Sequence, residues 1–157
     1  GRARHFGVFY PMQTFSKTRI VDFRNIPVFI EADSPATIQS ITEVAQSVSN
    51  NVRELCSSDR RYLHLAAVWA CNYTNFCYDM AAEVLQKVGL PFDIMLPLTD
   101  ETAKKVHELL PHEAQTGPAI RYDENIIAAQ MQLMNDTPRA QQLYQLMAQS
   151  IHERSKK

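Results

Sequence analysis

The stretch HLAAVWACNYTN, residues 64–75, lies at the centre of a helical pattern that begins at Ser57 or Ser58 and runs to Val88, where Gly89 and then Pro91 stop it. Leu65, Ala66, Trp69, Tyr73, Phe76, Met80 and Val84 recur at helical spacing and predict a core face. On the other side, at ~100° per residue, His64, Asn72, Asn75, Asp79 and Gln86, extended by Arg61, fall within a stripe of about 80°. The middle of that stripe uses His and Asn, short groups of fixed reach, where a solvated helix face uses Glu and Lys. The stripe is therefore either the wall of a cleft or a half-buried band satisfied by neighbouring helices. An imidazole suits proton transfer at neutral pH, so His64 is the candidate acid or base; a histidine packed in a core is the other reading.

Outward from this helix, the pattern stays helical toward the C-terminus. Residues 92–110 read as helix with a kink or restart at Pro97, and residues 124–134 as another. Asp136 or Thr137 caps a last helix that starts at Pro138 and ends near Arg154, with Leu143, Leu146, Met147 and Ile151 at helical spacing. Toward the N-terminus the period changes. FGVFYPM (residues 6–12) and PVFIEA (residues 27–32) read as buried strands, and residues 52–55 as a third short one. Between them Ser34 caps a helix with Pro35 at its first position, and Ile38, Ile41, Val44, Ala45 and Val48 line one face. So small a β-β-α unit buries itself poorly, and is expected to be the edge of a larger sheet. The fold expected is mainly α, with residues 1–52 as that unit and residues 53–157 as a helical domain.

One loop stands out, AQTGPAIRYD, residues 114–123. Pro118 steers Gly117 out of right-handed helix, and Gln115, Thr116, Arg121 and Asp123 offer an amide, a hydroxyl, a guanidinium fork and a carboxylate. Such a loop can grip an anion or a polar small molecule. It can equally be a connector in which Asp123 caps the next helix and Arg121 pairs with it.

Composition excludes several classes. The chain has 157 residues, of which 45% are hydrophobic, enough for a folded core. Sixteen Lys plus Arg against 17 Asp plus Glu give a net charge of -1, and no electrostatic case for nucleic acid or an anionic membrane. Cys56, Cys71 and Cys77 form no CxxC pair, and Cys71 and Cys77 lie in the apolar helix, so they read as buried thiols of a cytoplasmic protein. The histidines lack metal-ligand spacing, so no metal site is expected. The glycines are Gly1, Gly7, Gly89 and Gly117, which excludes a GxGxxG nucleotide fingerprint. No GxSxG, P-loop or paired-carboxylate motif is present.

PMQTFS (residues 11–16), FIEA (29–32), HLAAVWACNYTN, LPL followed by ETAKK (96–105) and AQTGPAIRYD occur in an order that resembles the C-terminal domain called domain of unknown function 2520. The resemblance covers residues 5–150. It implies a preceding Rossmann-like nucleotide-binding domain and kinship with the 6-phosphogluconate dehydrogenase and pyrroline-5-carboxylate reductase class, whose multi-helical C-terminal domain closes the substrate side of the cleft and forms the dimer. The N-terminal strands would then be the far edge of the missing domain's sheet. Where that class carries a lysine one turn before an asparagine, this chain has Val68 before Asn72, and His64 is the nearest ionisable group. The implied protein is an oxidoreductase using NAD or NADP, homodimeric, with this chain holding no nucleotide and inactive alone. Asn72, Asn75, Thr116, Arg121 and Asp123 would bind a small-molecule substrate, His64 would move the proton, and these groups would share one cleft. A non-enzymatic helical binding or assembly module is the rival reading.

Overall fold

The computed structural model describes residues 4–157, in two compact units with the boundary between Asn75 and Phe76. In the N-terminal unit, β1 (Gly7–Pro11) runs antiparallel to β2 (Val28–Ala32), and β2 runs parallel to β3 (Val52–Glu54), in the order β1-β2-β3. The parallel pair is joined by α1 (Pro35–Val48). Ser34 caps this helix by accepting from the Thr37 amide, and Pro35 occupies its first turn as its sequence predicts.

Alternation along β2 decides where the core lies. Val28 and Ile30 point to one face, fully buried against Ala45, Ile38 and Ile41 of α1 and Val52 of β3. Phe29 and Glu31 point to the other. β1 is half exposed, unlike the buried strand expected from its apolar run, because it has β2 on one side only. Its Gly7 has no room for a side chain: a Cβ there would lie 2.3 Å from Ile41 Cδ1 and 2.6 Å from the Glu31 carbonyl oxygen.

The long helix is not a uniform α-helix. α2 (Ser57–Ala67) gives way to a π-helical segment (Val68–Tyr73), after which α3 (Thr74–Gln86) begins. The Thr74 hydroxyl donates to the Trp69 carbonyl, five residues back, at 3.2 Å. A π segment puts more residues in each turn than an α-helix, so the uniform angular stripe drawn through Asn72, Asn75, Asp79 and Gln86 does not apply beyond Val68. The expected core face is also corrected. Leu65 is 53% exposed, Trp69 65%, Tyr73 48%, Phe76 46% and Val84 40%, and Cys56, Cys71 and Cys77 are exposed free thiols rather than buried ones. Among the described residues, about half of this apolar surface is left uncovered.

In the C-terminal unit, α3 ends at a left-handed Gly89 (φ 70°), where the Leu90 amide donates to the Leu85 carbonyl, a turn that closes the last helical carbonyls. A short 3-10 turn (Phe92–Met95) leads into α4 (Leu96–Glu108), with Pro97 in its first turn. α5 (Pro118–Arg121), α6 (Glu124–Gln132) and α7 (Pro138–Ser155) pack together around Ile127, Ala140 and Ala148. Neither Asp136 nor Thr137 caps α7 with its side chain. Asp136 instead pairs with Lys87, whose ammonium also donates to the Leu133 carbonyl at 3.1 Å. No helix among the described residues is long and apolar enough to cross a membrane.

Candidate functional site

The start of α2 is held to the sheet by an acidic residue the sequence pattern gave no reason to single out. Cys56 stands at the N-cap but makes no side-chain cap. Glu31, on the face of β2 opposite the core, supplies that function from a distance: its carboxylate accepts from the Ser57 amide (3.1 Å), the Ser57 hydroxyl (2.7 Å) and Arg60 (2.8 Å). An anion is favoured at a helix N-terminus, where the first amides lack partners. The Ser57 hydroxyl, then Arg60, then the Ser57 amide hold the Glu31 carboxyl down at about 2.

This anchoring sets His64 beside β1. The Tyr10 hydroxyl lies 3.1 Å from His64 Nδ1. Ser57, Arg61 and His64 are spaced by four and three residues, so they share a side of α2. With Tyr10 and Arg60 they line an open groove of about 450 Å3. His64 is therefore exposed at a groove rather than packed in a core. Asn72 lies within the π segment and Asn75 just beyond it; both are exposed, and neither side chain bonds to another described residue. Single-turn π segments occur frequently at functional sites.

The remaining candidates lie in the C-terminal unit. Gly117 adopts φ 103°, a conformation that favours glycine, and α5 follows at once. Tyr122 ends α5 in the left-handed region (φ 50°), which turns the chain so that Asp123 caps α6 through the Ile126 amide at 3.2 Å. The capping half of the connector reading is thus correct, and no ion pair joins Arg121 to Asp123 among the described residues. His152 Nδ1 donates to the Ile120 carbonyl at 2.8 Å, and its ring stacks on Tyr122 at 5.0 Å, which fastens α5 to α7. Arg121 and Thr116 are exposed on this fastened turn. Spacing gave no hint of Tyr10, Glu31 or His152, because each acts on a residue more than 25 positions away.

A second groove, about 400 Å3, opens at the C-terminal ends of β2 and β3 beside the start of α1. In a parallel α/β unit this is where a nucleotide's pyrophosphate meets a glycine-rich turn. Here the lining includes Glu31, Asp33, Ser34, Pro35 and Glu54. The Asp33 and Glu54 carboxylates repel a pyrophosphate, and Pro35 lacks an amide to donate, so these residues do not fit a dinucleotide.

Residues 26–151 match the family described as "Domain of unknown function (DUF2520)". The protein BF3122 from Bacteroides fragilis, whose crystal structure names it a "putative NADP oxidoreductase", is 57% identical, with a TM-score of 0.94 over 98% of this chain and 59% of its own. The Thermotoga maritima protein TM1727 is 18% identical, with a TM-score of 0.76 over 96% of this chain and 61% of its own, and shares the fold. This chain thus spans about three-fifths of the length of each. No curated protein matches it. With four-fifths of its residues inside the family's match, the chain belongs to the DUF2520 family.

Proposed function

We propose that this chain is the substrate-binding and dimerisation part of an NADP-dependent oxidoreductase whose nucleotide is held by a separate, Rossmann-like domain preceding it. The observation that carries this reading is the 57% identity to BF3122 over nearly the whole of this chain but only 59% of that protein. Two features agree with it. The groove at the sheet's end is acidic where a dinucleotide needs donors. The helices leave Trp69, Leu65, Leu146 and Met147 exposed, more apolar surface than a finished domain leaves uncovered.

In this reading β1, β2 and β3 extend the sheet of the preceding domain, and the apolar helix faces pair two copies. His64 moves the proton that accompanies reduction of a carbonyl or imine, while Asn72 and Asn75 orient the substrate. Thr116 and Arg121 hold its polar end, and Asp123 fixes the turn that carries them. The nicotinamide supplies the hydride from the other domain, and NAD is the alternative dinucleotide. In this reading the protein is cytoplasmic, in keeping with its free cysteines, and its near-zero net charge favours neither nucleic acid nor an anionic membrane as a partner.

Calorimetry tests the division of labour. Micromolar binding of NADP to the intact protein, with none to residues 1–157 alone, is the expected result. Binding of NADP to the isolated chain would overturn the division between the two domains, and binding to neither would leave a helical assembly module as the better reading.

A further inference from the structure

The groove between β1 and α2 is walled by Tyr10, Ser57, His64, Arg60 and Arg61, of which the Ser57 hydroxyl already donates its one proton to Glu31. The two arginines differ in what they are free to do. Arg60 is committed, with Nη1 on Glu31 (2.8 Å) and the Leu55 carbonyl (3.3 Å) and Nη2 on Ser57 Oγ (2.8 Å), so its charge and that of Glu31 offset one another. Arg61 forms no ion pair and no side-chain hydrogen bond among the described residues. Asp59, two positions earlier, projects from another side of the helix. The groove therefore presents one uncompensated guanidinium, an imidazole held by Tyr10 and no free carboxylate of its own.

We propose that this groove binds an anionic oxygen group, a carboxylate or a phosphate, with Arg61 as its charge partner and, according to which of the two donates in the Tyr10–His64 bond, the Tyr10 hydroxyl or His64 Nε2–H as its flanking donor. A guanidinium fork matches the paired oxygens of either group. The Tyr10 contact holds the imidazole in place beforehand, so less ordering is left for the ligand to impose. A metal cation is disfavoured by the same guanidinium. The site lies wholly within the N-terminal unit, whereas the turn that carries Arg121 belongs to the C-terminal unit.

The test reads binding directly and does not depend on turnover. The His64 ring resonance of the intact protein, assigned by its loss in His64→Gln, is followed by NMR during titration with inorganic phosphate and, separately, with acetate. Both titrations are run at fixed pH and ionic strength, without nucleotide. A saturable shift with one of the two is expected, and the tighter of them identifies the oxygen group. Arg61→Gln should weaken that binding by about 10-fold or more, whereas Arg61→Lys should retain part of it. No saturable shift with either anion, or equal affinity in Arg61→Gln, overturns the proposal. Failure here leaves the NADP calorimetry unaffected, so the two readings fall separately.

Discussion

Replacing Ser49 with alanine should destabilise the N-terminal unit out of proportion to the atom removed. Ser49 is 2% exposed at the end of α1, and its hydroxyl joins two backbone groups that lead into the adjacent strands β2 and β3. It donates to the Ile26 carbonyl at 2.6 Å and accepts from the Asn51 amide at 3.0 Å. These contacts fix the turn between α1 and β3 just where the Val28 amide meets the Asn51 carbonyl at 2.8 Å. Alanine fits the space but leaves a buried acceptor and a part-buried donor without partners, a loss of about 2 kcal/mol within a range of ~1–3. With an m-value of ~1–3 kcal/mol/M, the urea midpoint should fall by about 1 M at unchanged slope. Ser40→Ala is the control: its hydroxyl only back-bonds to the Ala36 carbonyl on the exposed side of α1, and its loss should cost less than ~0.5 kcal/mol. If Ser49→Ala moves the midpoint no further than Ser40→Ala, the hydroxyl is not what fixes that turn.

Glu31 titrates at 4.5 when unperturbed and at about 2 in the fold, so its contribution is complete above pH 4.5 and disappears as the pH falls through 2. Glu31→Gln should therefore be less stable than wild type at neutral pH and lose less on acidification across that window; parallel acid-unfolding curves would contradict this. In the intact protein, His64→Ala should lower kcat by ~100-fold or more, while Arg121→Ala should chiefly raise KM, by about 10-fold. Steady-state kinetics that leave both variants at wild-type values would remove these residues from the site. Light scattering should report a homodimer, and Trp69→Asp should shift it toward monomer with unchanged far-ultraviolet circular dichroism, since that side chain is 65% exposed within the chain. A monomeric wild type would refute the pairing role of this face.

Element positions were legible because their signals are local. Ser34 with Pro35 starts α1, Gly89 ends α3, Pro97 restarts the chain as α4, and Asp123 caps α6, each through groups within a few residues. The family, too, was legible from five short motifs in order. The π segment was not: Val68–Tyr73 has the same apolar period as the α-helix around it, so nothing in its spacing marks the extra residues per turn. Periodicity likewise identified an apolar face on the long helix but not its environment. A core face and an interface face carry the same residues, and only the tertiary structure leaves Trp69 and Tyr73 uncovered. For the site, composition singled out His64, Asn72 and Arg121 as short or fork-shaped polar groups in unusual places. What stands beside His64 was decided by the fold, because Tyr10 arrives from a strand 54 residues away and the helix is anchored by a carboxylate on β2. Local capping and periodicity are written in neighbouring residues, whereas the partners of a polar side chain depend on which distant segments the packed sheet brings alongside it.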